Sequence, residues 1–241
     1  MDRRHVDHGM TADVVVLAAG DALPSVVLAA VGRAIDAATL TVAADGGLAH
    51  AERAARTVDV VVGDLDSVDA AMLERARASG TEVVRHPVDK DATDLDLALE
   101  LVTQRWTGPG PARVLVVGGH GGRTDHLVGN LLLLASERHA GLRVTMWSGS
   151  EVVTVVRDVA LLARSAGTVV SLIAVNGPAD GVTTRGLRFP LDGATLEPGS
   201  SLGISNELTD DDAEVHVRAG ALLAVQSSPP SPAPGTAEGR P

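Results

Sequence analysis

The sequence predicts an α/β fold: a mostly parallel, Rossmann-like N-terminal sheet with helices on both faces, followed by a smaller C-terminal all-β sandwich or jelly roll. Three observations carry this. Short Val-rich runs without polar alternation recur between residues 13 and 146, as in strands buried on both faces. Segments with helical apolar spacing separate most of them. Beyond Trp147 the helical segments stop, and short β-type runs are punctuated by Asn176-Gly177-Pro178, Asp192-Gly193 and Pro198-Gly199.

Taken in order, strands are expected at 13–17, 39–43, 58–62, 81–84, 113–117 and 142–146, with helices at 25–38, 47–55, 69–78, 94–104 and 125–139. The second half offers strands at 152–156, 160–162, 169–174, 182–184, 213–217 and 222–225. The expected division is a loose leader at 1–11, an α/β domain at 12–148, an all-β domain at 149–226 and a Pro-, Ser- and Gly-rich disordered tail at 227–241.

Composition narrows the function classes. A chain of 241 residues, 45% hydrophobic and 21% charged, has ample material for a core. The net charge of −11 argues against a general nucleic-acid surface, though not against a nucleotide, since bound Mg²⁺ reverses the local sign. Without cysteine there is no disulfide, thiolate metal site or Cys nucleophile. No segment has the ~20 consecutive apolar residues of a membrane helix, and no secretory signal stands out, so the cytoplasm is the expected location.

In an open parallel sheet, ligands bind beyond the carboxyl ends of the strands. Those ends carry Ala44-Asp45-Gly46-Gly47, Gly63-Asp64-Leu65-Asp66-Ser67, the Lys90–Asp94 loop, and a run from Gly118 to His126 containing Arg123 and Asp125. One Asp-Gly is ordinary turn chemistry. Asp at successive strand ends is another matter: Asp45, Asp64, Asp66 and Asp94 gathered on one rim would be costly to ionise together without a cation. Hard oxygen donors suit Mg²⁺ bridging substrate phosphates. Neither GxxxxGK[ST] nor GxGxxG is present, which removes the P-loop and counts against a dinucleotide site. Arg123, at the opening of a helix, suits phosphate charge better than the glycine cluster does, its other role being a salt bridge to Asp125 or a neighbouring acid. His120 and His126 lack partners at triad spacing and read as packing or hydrogen-bonding residues.

ADGG (44–47), GDLDS (63–67), KDATDLDLAL (90–99), GGRTDHLVGN (121–130), GLRFPL (186–191) and GISNE (203–207), in that order, resemble the thiamine pyrophosphokinase family, bacterial type. The resemblance runs from about residue 13 to 225. It implies transfer of the diphosphate of ATP to the hydroxyl of thiamine, giving thiamine diphosphate and AMP, with Mg²⁺ required. It implies that Asp45, Asp64, Asp66 and Asp94 hold Mg²⁺ or orient its waters, with Asp66, Asp94 and Arg123 in the catalytic set and Asp45 also on the substrate. Lys90, Asp91, Thr93, Arg123 and Asp125 would meet the nucleotide or order its loop, Asp91 having a helix cap as its other reading. Ser205 and Asn206 would hydrogen-bond the aminopyrimidine. A homodimer is implied, with each site between one subunit's α/β domain and its partner's β domain.

Two departures stand out. The aliphatic run 220–225 lies where animal members of the family carry a stacking Trp, and Thr124 replaces a usual Leu. The competing readings are another ATP-dependent pyrophosphokinase acting on a pterin alcohol, a non-catalytic nucleotide-sensing module, and a Mg²⁺-dependent phosphohydrolase. The first leaves GISNE without a purpose. The second would tolerate loss of charge at Asp66 or Asp94.

Overall fold

A computed structural model describes residues 12–121, 123–162 and 165–227. The expected leader, the tail beyond Ser227 and Gly122 of GGRTDH lie outside them. Ser227 itself ends a strand.

The parallel part follows the Val-rich runs. β1 (Val14–Leu17), β2 (Leu40–Ala44), β3 (Val60–Gly63), β4 (Glu82–Arg85), β5 (Ala112–Val117) and β6 (Leu142–Ser148) pair in the order β6-β5-β1-β2-β3-β4, all parallel. Between them lie α1 (Ser25–Ala37), α2 (Leu48–Arg53), α3 (Ala70–Ala78), α4 (Asp94–Arg105) and α5 (Thr124–Leu134). The fifth helix stops short of the expected residue 139 because Ser136 caps a separate 3₁₀ turn at Glu137–His139.

The sheet does not end at the change of rhythm. β7 (Glu151–Val156) turns back antiparallel on β6, and β14 (Leu222–Ser227), β9 (Val169–Ala174) and β12 (Asn206–Glu207) extend it further. The result is one ten-stranded sheet, β12-β9-β14-β7-β6-β5-β1-β2-β3-β4. A second, antiparallel sheet is formed by β11 (Ala194–Leu196), β10 (Ala179–Arg185), β13 (Glu214–His216) and β8 (Val159–Leu161). Sequence periodicity leaves β11 and β12 as loop, since three and two residues are too few to show a period.

Alternate side chains assign the two faces. Val153, Val175, Ala221 and Leu223 join the helix-covered core of the parallel strands, so that core crosses from one half into the other. Val156, Leu172, Ala174, Leu222 and Ala224 face the opposite way and pack against the second sheet. α1 to α3 cover that same side over β1, β2, β3 and β5. Among the described residues no helix is long and apolar enough to cross a membrane.

Candidate active site

β2 and β3 deliver the first carboxylates. The chain leaves β2 into a 3₁₀ turn at Asp45–Gly47, and Gly47 lies so close to the end of β1 that an added Cβ would sit 1.9 Å from the Leu17 carbonyl oxygen. This packing fixes Asp45, which is 6% exposed and has φ 45°. Leu65, between Asp64 and Asp66, also has positive φ, at 65°. Two strained non-glycine residues at neighbouring turns are the kind of backbone cost that a functional geometry retains.

Ligand oxygens of Asp45, Asp64 and Asp66 lie within 4.8 Å of one another. The Asp66 amide donates to Asp64 Oδ1 at 3.3 Å and the Ser67 hydroxyl to Asp66 Oδ1 at 3.0 Å, which orients both carboxylates. Asp94, first residue of α4, completes the rim: a Cβ on Gly63 would be 2.8 Å from Asp94 Oδ1 and 3.0 Å from Asp45 Cβ. Only a residue without a side chain admits both carboxylates there. Lys90 Nζ donates to Asp64 Oδ2 and lies 2.9 Å from Asp94 Oδ1. Arg85 adds a second positive group, donating to the Asp64 carbonyl at 3.2 Å.

Charge follows this geometry. Burial pushes the Asp45 carboxyl above its ordinary value, helped by the Asp94 and Asp64 charges and opposed by hydrogen bonds from Gly46 and Ser67. The Lys90 hydrogen bond, with the Asp66 amide, holds Asp64 low. Burial works against the Lys90 ammonium, but Asp64 and Asp94 outweigh it and leave its pKa raised. Asp45 Oδ1 is buried without a hydrogen-bond partner, whereas Asp94 Oδ1 has the Lys90 ammonium at 2.9 Å. An orphaned, buried carboxylate oxygen in an all-oxygen set fits a hard divalent cation.

The remaining predicted residues fall in three groups. Thr93 caps α4, its hydroxyl accepting from the Asp96 amide at 3.3 Å, so the cap is Thr93 and not Asp91, which is exposed in the loop before it. Arg123 and Asp125 pair with each other at 2.6 Å at the exposed start of α5, and the guanidinium holds the Asp125 carboxyl down to about 2. Ser205 and Asn206 sit at the far edge of the sheet. Ser205 is exposed with φ 57°, and its amide donates to Ser171 Oγ at 3.1 Å. Asn206 is 3% exposed; its Nδ2 donates to the Phe189 carbonyl at 2.7 Å, while its Oδ1 accepts from the Phe189 and Glu207 amides at 3.0 and 2.9 Å. The clamp presents Phe189, a 61% exposed ring with the Arg188 guanidinium 5.6 Å from its centroid. The sequence marks Ser67 and Phe189 only as members of GDLDS and GLRFPL, without a role, and leaves Arg85 outside every motif; the scarcity of aromatics is a further signal for Phe189.

Comparison with known proteins bears on both halves. The family model for the thiamin pyrophosphokinase catalytic domain matches residues 31–146, and that for the thiamin pyrophosphokinase vitamin B1 binding domain matches 157–222. The chain belongs to the thiamine pyrophosphokinase family. A rice protein named thiamine pyrophosphokinase 1 is 28% identical over 160 residues, covering 64% of this chain and 60% of that protein. The chain thus matches about three fifths of the length of its plant relatives. Thiamine pyrophosphokinase of Bacillus subtilis is 25% identical over 168 residues, 69% of this chain and 77% of that one. A crystal structure of the enzyme from that species superposes with a TM-score of 0.74 over 90% of this chain and 99% of the other, at 24% identity, which supports the fold.

Proposed function

We propose that this family member is a thiamine pyrophosphokinase, transferring the diphosphate of ATP to thiamine. The observation that carries the reading is the rim of Asp45, Asp64 and Asp66, with its orphaned Asp45 oxygen, at the strand ends of the half matched by the catalytic-domain model. In the reaction the hydroxyethyl oxygen of thiamine bonds to the β-phosphorus of ATP. The bond from that phosphorus to the α–β bridging oxygen breaks, AMP departs with that oxygen, and the alcohol proton passes to a rim carboxylate.

Such a transfer needs positioning and charge neutralisation more than covalent help. Asp45, Asp64 and Asp66 would hold Mg²⁺, with Asp94 supporting them; bound there, the ion supplies charge neutralisation to the phosphates. Lys90, Arg85 and Arg123 supply side-chain cations, and Asp125 keeps Arg123 oriented until phosphate competes for it. Thr93 fixes the start of α4, and with it Asp94. Asp91, exposed in the same loop, is available to the nucleotide. Ser205 offers its hydroxyl to the aminopyrimidine, and Asn206 acts by holding Phe189 as a flat apolar surface for the ring.

The reading includes a homodimer with the site across its interface, and distance supports it. Asp45 directly follows β2 and Asn206 opens β12, seven strand positions apart in one sheet. At ~4.8 Å per strand that is roughly 34 Å. One thiamine does not bridge such a gap, which supports a site formed where a second copy's Ser205–Phe189 corner meets this rim. Val128 and Leu132 of α5, 50% and 43% exposed, provide apolar surface for such a partner.

The deciding assay incubates the protein with Mg²⁺, ATP and thiamine and follows AMP and thiamine diphosphate. Folded protein that forms neither refutes the reading, and AMP formed only with a pterin alcohol transfers it to the rival kinase. For the dimer, mixing Asp66→Asn with Phe189→Ala subunits should restore activity to about a quarter of wild type, because half of random pairs carry one intact composite site. No recovery on subunit exchange would place each site within one chain.

A further inference from the structure

Lys90 reaches into the carboxylates that could hold a divalent cation. Its side chain is 12% exposed, its ammonium donates to Asp64, and it lies 2.9 Å from Asp94 Oδ1. Asp64 is also one of the three carboxylates within mutual reach of a single ion. The cluster is therefore divided. Asp64 is served by a lysine, while Asp45, buried beside it, keeps an oxygen without a partner. A flexible ammonium is a compact point charge that neutralises such a rim but satisfies it incompletely.

We propose that Lys90 is a cation placeholder: the ammonium and a divalent metal ion compete for Asp64, and the ion's arrival releases the lysine to the nucleotide phosphates. This rests on the metal–nucleotide reading above and adds an order of events to it. Metal binding and nucleotide binding become reciprocally coupled, because an ammonium displaced by one ligand is available to the other. The alternative role is a staple joining the β3 loop to the start of α4. The two roles predict opposite signs when the lysine is removed. A lost competitor tightens metal binding, whereas a lost staple loosens the carboxylates and weakens it.

The test is titration with Mn²⁺, free ion being read by electron paramagnetic resonance, on wild type, Lys90→Met and Lys90→Arg, each checked for folding by circular dichroism. Without nucleotide, Lys90→Met should bind Mn²⁺ roughly tenfold more tightly and Lys90→Arg within about twofold of wild type, the scale set by one unit charge a few ångströms away. Adding α,β-methylene-ATP should tighten Mn²⁺ binding more in wild type than in Lys90→Met. Equal or weaker Mn²⁺ binding by Lys90→Met overturns the placeholder. Absence of Mn²⁺ binding in all three proteins overturns the metal reading beneath it. Should Lys90→Met fail to fold, Lys90→Gln removes the same charge and carries the same expectation.

Discussion

At one end of the ten-stranded sheet, carboxylates are gathered and a buried Asp45 oxygen is left without a partner; at the other, the Asn206 amide is buried with both of its polar atoms supplied. Both ends combine buried polar groups with a positive-φ residue, so burial and backbone strain do not distinguish them. Satisfaction does. An unsatisfied rim gains free energy when a cation arrives, whereas a satisfied amide has nothing to gain from a ligand and instead fixes the shape of what lies beside it. The charged end is accordingly read as a site that binds, and Asn206 as a residue that positions Phe189.

Mutations can break that contrast. The largest effect is expected at Asp66, where Asp66→Asn should lower turnover by roughly two to three orders of magnitude with the melting temperature nearly unchanged, since the carboxylate is exposed and its proposed role is to hold an ion. Near-normal turnover would remove Asp66 from the catalytic set. Asn206→Ala should act on the fold as well, costing about 2–3 kcal/mol of stability through three lost hydrogen bonds, seen as a fall in melting temperature of about 5–10 °C. An unchanged melting temperature would show that the clamp contributes nothing. Gly63→Ala pushes a methyl group against Asp94 and Asp45 and should weaken Mn²⁺ binding by about tenfold, measurable by calorimetry.

Asp45→Asn sharpens the comparison further. Removing a carboxylate that burial and its neighbours disfavour should raise the melting temperature by about 2–4 °C, about 1 kcal/mol in a chain of this size, while Mn²⁺ binding is lost. A fall in stability would mean that the rim is not frustrated. The smallest expected effect is with pH. Asp45, with its raised pKa, must be ionised to hold a cation, so Mn²⁺ affinity should climb as pH rises through that pKa, above the ordinary 3.8, and then level. The stability contribution of Asp45 has the same midpoint and the opposite sense, being lost as pH rises. That of Asp64, whose pKa is lowered by Lys90, is present above the ordinary carboxylate value and lost as pH falls through the lowered one. Titrations at stepped pH separate the two.

Much of this was legible in the sequence because it is local. Val-rich runs marked β1 to β7 within a few residues, and Asp at successive strand ends marked the rim. What stayed hidden depends on pairing between distant segments. Nothing near Ser148 says that β7 continues the parallel sheet rather than founding a separate one. Lys90 meets Asp64 across 26 positions, and Asn206 meets Phe189 across 17. Such contacts are set by register, which a periodic pattern does not encode. Thr93 was legible in type, since a Thr before an acidic helix start is a cap, but the motif drew attention to phosphate instead.

The hairpin between β6 and β7 has a consequence for synthesis. The chain emerges from its N-terminus, so the six parallel strands are made before any residue of β7 exists. Until Glu151–Val156 folds back, β6 is an open edge of seven residues, and the core beneath it lacks Val153, Val175, Ala221 and Leu223. An uncovered edge of this kind invites pairing with another chain. A fragment ending at residue 148 should therefore aggregate when expressed alone. The antiparallel strands β7, β14 and β9 would then also act as a built-in chaperone for the half that holds the carboxylates.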